Sequence, residues 1–108
     1  MEANHVISAL AALAHEHRLA LFRLLVQTGP EGLPAGRIAG ALGVPNSSLS
    51  HHLALLHEAG LVTQRREGRS LIYAADYPAM ERLLGFLTEN CCAGAACSVP
   101  VSHLKETA

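Results

Sequence analysis

The stretch that decides the fold reads Val44-Pro-Asn-Ser-Ser-Leu-Ser-His-His-Leu-Ala-Leu-Leu-His-Glu-Ala-Gly60 and continues Leu61-Val-Thr-Gln-Arg-Arg-Glu-Gly-Arg-Ser-Leu-Ile-Tyr73. Its first half places Leu49, Leu53 and Leu56 at helical spacing. Asn46 or Ser47 is available as N-cap and Gly60 as C-terminal stop, so the pattern predicts a helix ending near residue 58. The second half sets β-prone residues, 61–63 and 71–73, on either side of Arg65-Arg66-Glu67-Gly68-Arg69, the pattern of a hairpin. A shorter helix precedes both, with Pro34 near its first position, Ile38, Ala39 and Leu42 inward, and Gly43 as its break. Two helices across a tight Gly-containing turn, followed by a hairpin, form a winged helix-turn-helix.

Outward from this unit the apolar spacing predicts three more helices. Residues 4–13 carry Val6, Ile7, Leu10 and Leu13 on one stripe. Residues 16–27 carry Leu19, Leu21, Phe22, Leu24, Leu25 and Val26, too many for one narrow face, which marks a central helix ended by Gly29-Pro30. Residues 78–89 place Met80, Leu83, Leu84 and Leu87 at i, i+3, i+4, i+7. The expected architecture is mainly α with one β-hairpin, in the order α-α-α-α-β-β-α. Residues 1–90 are expected to form this domain, and residues 91–108 a cysteine segment with a flexible tail.

Composition bounds the function. The chain has 108 residues, 50% of them hydrophobic, with a formal net charge of -1, which fits one folded domain rather than a disordered chain. The most apolar run, residues 19–26, is interrupted by Arg23 and is too short to span a bilayer. Glu2 and the charged His15-Glu16-His17-Arg18 run do not suit a signal peptide, so the expected address is the cytoplasm, with no membrane partner. Near-neutral charge means that any DNA contact must come from local placement. The candidates are Ser47, Ser48, Ser50, His51 and His52 on the second helix of the motif, and Arg65, Arg66 and Arg69 on the hairpin against a single Glu67. A solvated hairpin on a protein-binding winged helix is the alternative. So few charges imply that two protomers would have to combine their phosphate contacts.

Three cysteines, Cys91, Cys92 and Cys97, lie within seven residues, and no other cysteine occurs. An odd count cannot pair fully within one chain. Soft thiolates select thiophilic ions, and three of them neutralise a trivalent ion, whereas a structural zinc asks for a fourth ligand. On an unbroken helix Cys97 would lie about 140° round from Cys92 and ~7.5 Å further along. The helix must therefore end near Cys92, with Gly94 letting the chain fold back. A Cys92–Cys97 redox switch is the other reading. No catalytic arrangement and no organic cofactor motif is present.

The recognition-helix and hairpin stretch from Ser48 to Tyr73, with Leu13-Ala-His-Glu-His-Arg-Leu-Ala-Leu-Phe-Arg-Leu-Leu25, resembles the ArsR/SmtB family of metal-sensing repressors over about residues 5–90. The resemblance implies a homodimer paired through the first and last helices, here through Val6, Ile7, Leu10, Met80, Leu83, Leu84 and Leu87. It also implies a repressor of operator DNA that an inducer releases. Of the family's sensing sites, a Cys-x-Cys pair in the first helix of the motif is missing, since that region reads Leu33-Pro-Ala-Gly-Arg-Ile-Ala39. An Asp/His site on the last helix is missing too, with no His between Asp76 and Glu89. Cys91, Cys92 and Cys97 remain, similar to trithiolate sites for As(III) or Sb(III) at the end of the last helix. Cd(II), Zn(II) or a redox signal are the alternative inducers.

Overall fold

The computed structural model describes residues 2–94. Its elements are α1 (Ala3–Leu13), α2 (Glu16–Thr28), β1 (Leu33–Pro34), α3 (Ala35–Leu42), α4 (Asn46–Glu58), β2 (Val62–Glu67), β3 (Ser70–Ala75) and α5 (Tyr77–Leu87), followed by a 3₁₀ turn, Cys91–Gly94. The expected winged helix-turn-helix is present. The hairpin is the larger part of a three-stranded antiparallel sheet ordered β1-β3-β2, with Leu33 opposite Tyr73 and Pro34 opposite Ile72. Two residues carry no period-2 signal, so β1 was invisible in the sequence. Gly32 makes its approach possible: φ there is +71°, and a Cβ would run into the Tyr73 carbonyl.

One core unites the helices. Leu21 and Leu25 of α2, Ile38 of α3, Leu49 and Leu56 of α4, and Leu61 just before the wing are its largest fully buried side chains. α2 is central, as its dense apolar content implied. Tyr77, at the start of α5, donates its hydroxyl to the Val26 carbonyl at 2.9 Å and so satisfies one of the orphan acceptors at the end of α2. Asp76 caps α5 by accepting from Ala79 N–H at 3.0 Å. At the far end of α4, Gly60 (φ +78°) allows the Leu61 N–H to reach the Leu56 carbonyl and its own N–H to reach His57, a complete Schellman closure. That closure fixes where the wing leaves the recognition helix.

Candidate nucleic-acid interface and thiol segment

α4 begins at Asn46, so Asn46 and Ser47 are its first helical residues; Pro45 stands at the cap position and offers no side-chain bond. Among the described residues, the N–H groups of Asn46, Ser47 and Ser48 find no acceptor. Such an end is suited to an anionic oxygen. Ser47, Ser48, Ser50 and His51 are exposed, as their spacing implied, and Ser50 returns its hydroxyl to the Asn46 carbonyl at 3.1 Å. His52 corrects the expectation. It is 7% exposed, turned into the protein with Leu49, Leu53 and Leu56, and its ring lies 4.8 Å from that of His15. A helix rotates 100° per residue, so adjacent histidines cannot both face the groove.

The wing arginines also separate. Gln64 stands opposite Tyr73 and Arg66 opposite Leu71, placing Arg66 on the sheet face that, with Ser50, Ala54 and His57, borders a cleft between α4 and the wing. Arg65 stands opposite Ile72 on the other face, donating to the Glu31 carbonyl at 2.7 Å and pairing with Glu67 at 3.5 Å. Arg66 and Arg69 have no ion pair or hydrogen-bond partner among the described residues. Arg69 sits in a two-residue turn where only Gly68 has positive φ, the type II′ pattern.

The candidate dimer residues divide in the same manner. Val6 and Leu83 are 4% and 5% exposed and belong to the protomer's own core, and Met80 packs against that core half-buried. Ile7, Leu10, Leu84 and Leu87 are open to solvent, and Phe86 joins them, a residue the i, i+3, i+4 pattern omitted.

α5 ends at Leu87, four residues before the first cysteine, and is shorter than the expected 78–89. The chain then turns through Asn90, Cys92 and Ala93, all with φ of +57°. Three non-glycine residues thus take the left-handed conformation before Gly94, and the fold-back expected at Gly94 would lead into residues outside the described ones. Cys91 and Cys92 are exposed and their sulfurs stand 3.5 Å apart. Metal–sulfur bonds of ~2.3 Å place two thiolates on one ion about 3.3–3.8 Å apart, so this pair fits shared coordination. Among the described residues no group of three donor side chains is placed to hold an ion. Cys97, and with it the expected tail, lies outside the described residues.

The sequence pattern of the family described as a helix-turn-helix domain matches residues 13–65. The HTH-type transcriptional regulator NmtR of Mycobacterium tuberculosis is 42% identical over 72 residues, 67% of this chain and 58% of that protein. A putative arsenical resistance operon repressor, ArsR, of Halobacterium salinarum is 41% identical over 63 residues, 58% of this chain and 48% of its own. Among solved structures, HlyU from Vibrio cholerae is 34% identical with a TM-score of 0.63, covering 81% of this chain and 97% of that one. The homodimeric winged helix-turn-helix DNA-binding domain of Mb0332 from Mycobacterium bovis, a possible ArsR-family regulator, is 27% identical with a TM-score of 0.64, covering 89% of each chain. The chain belongs to the ArsR family. This ArsR-family chain spans about half to two thirds of the length of the first curated relatives it matches. Its relatives are transcriptional regulators rather than enzymes. Among the described residues no helix is long and apolar enough to cross a membrane.

Proposed function

We propose that the protein is a cytoplasmic, homodimeric repressor that leaves its operator when As(III) or Sb(III) binds Cys91, Cys92 and Cys97. The carrying observation is the pair of exposed sulfurs 3.5 Å apart, four residues beyond the helix that presents Leu84 and Leu87 to solvent. Trivalent arsenic enters as As(OH)₃. Three thiols displace three hydroxides, giving As(SR)₃ and three waters, with no oxidant and no residual charge. Closing a third sulfur onto the Cys91–Cys92 pair pulls on the end of α5. A shift of α5 across the dimer moves the two recognition helices off half-sites that lie about one DNA turn apart. Ser47, Ser48, Ser50 and His51 face the groove, and Arg66 and Arg69 reach the backbone. Arg65, held by Glu31, contributes less. The Halobacterium relative's arsenical-resistance name supports the inducer class.

Fluorescence anisotropy on a duplex from upstream of the gene tests this reading. As(III), Sb(III), Cd(II) and Zn(II) are added under phosphine reductant to the wild type and to Cys91→Ser, Cys92→Ser and Cys97→Ser. Release by the trivalent ions and its loss in every serine variant is expected. Arg66→Ala and Arg69→Ala should each flatten the log–log salt dependence by about one phosphate contact, and Arg65→Ala by less. DNA binding indifferent to all four ions would overturn the inducer assignment. No specific DNA binding would favour a protein-interaction winged helix instead.

A further inference from the structure

Among the described residues His52 is the only buried polar or charged side chain, and its Nδ1 has no hydrogen-bond partner there. It lies on the recognition helix beside His51, and rings from the start of α2 surround it. Centroids of His15 and His17 are 4.8 and 5.7 Å away, and that of His51 is 5.9 Å away. Arg18 follows on α2, its Nε donating to the Ala12 carbonyl at 2.6 Å. The groups whose charge reaches His52 are His15 at the cap of α2, Arg18 and His17 on α2, and His51 from α4 itself; every one is a cation when charged. The cluster is not arranged as a metal site, because His15 Nδ1 is already occupied in accepting the His17 N–H at 3.1 Å as the N-cap of α2.

From this geometry we infer that the α2–α4 junction is a proton-sensitive seat for the recognition helix, which acidification loosens, lowering DNA affinity. A proton on His52 places a cation in a buried contact lined by other basic groups, with no acid among the described residues to compensate it. Burial is the first cause, and His15, Arg18, His17 and His51 the next, that hold His52 below its ordinary value of 6.5. The unfolded chain therefore binds more protons than the folded one between that lowered value and 6.5. Stability is complete above about 6.5 and declines as pH falls through that window.

The effect on DNA rests on the repressor reading, while the effect on folding does not, so both are measured. Thermal unfolding without DNA, and anisotropy on the upstream duplex, are run from pH 7.5 to 5.5 at fixed ionic strength with chelator present. The proteins are wild type, His52→Leu, and His15→Asn, which keeps a capping acceptor for α2 and removes the basic ring 4.8 Å from His52. On an ordinary DNA-binding surface, added positive charge tightens binding as pH falls. The wild type should instead weaken relative to both variants by about threefold or more across the range, within the ~tenfold per pH unit that one linked proton allows. Its melting temperature should fall more steeply than that of either variant. Equal pH dependence of melting in wild type and variants overturns the inference. If DNA is not bound at any pH while the melting difference persists, the repressor reading falls and the proton-sensitive seat stands. Should His52→Leu fail to fold, His15→Asn alone decides, and a wild-type pH profile of melting in that variant overturns the inference.

Discussion

α4 and α5 carry comparable leucine periodicity and meet different fates. In α4, Leu49, Leu53 and Leu56 are all swallowed by the protomer's own core, while Ser47, Ser48, Ser50, His51, Ala54, His57 and Glu58 stay outside. In α5 the stripe is split: Ala79 and Leu83 turn inward, while Leu84 and Leu87 are 53% and 54% exposed. The ends differ too. α4 closes in a complete Schellman motif, whereas α5 runs into left-handed residues that carry the thiols. An apolar stripe states that a face must be covered; it does not state by what. The stripe that the core leaves uncovered is the one the proposed dimer would use.

The sharpest way to break this contrast is to truncate one leucine on each helix. Leu56→Ala should cost about 2–5 kcal/mol, because it opens a cavity in a fully enclosed site. Leu87→Ala should change unfolding of the dilute protein by no more than ~0.5 kcal/mol. Urea titration at low concentration checks both, and equal losses would remove the distinction. Next, Leu84→Glu combined with Leu87→Glu should leave the helical circular dichroism intact and weaken self-association by about 100-fold, since two leucine burials are worth ~3 kcal/mol or more. Sedimentation equilibrium reads this, and an unchanged dimer would move the interface elsewhere. The smallest effect concerns how α5 starts. Asp76→Ala removes the cap on Ala79 and should cost about 1 kcal/mol in thermal or urea unfolding, without changing which face of α5 is exposed.

Much of the fold was legible because its signals are local. Gly43 and Gly60 closed the right helices, the leucines of α4 faced inward as spaced, and the Gly68–Arg69 turn sat where the charged pentapeptide placed it. What was not legible depends on contacts distant in sequence. β1 exists only because Leu33 and Pro34 meet β3 some forty residues later. His52 faces His15 rather than solvent because α2 crosses beneath α4, and a list of polar residues on a helix carries no such information. Arg65 is spent on Glu31 and Arg66 is not, a difference set by which sheet face each occupies.

By itself the sequence determined the order of elements, the helix-turn-helix with its wing, and the gathering of three thiols just beyond the last helix. These follow from periodicity, caps and spacing, which act over a few residues. Only the tertiary structure decided which leucines the core leaves uncovered, which histidine of α4 is withdrawn into a basic cluster, and which residues around the cysteines take the left-handed conformation. Each of those outcomes is a competition between faces for burial, and it is settled only when the elements pack together.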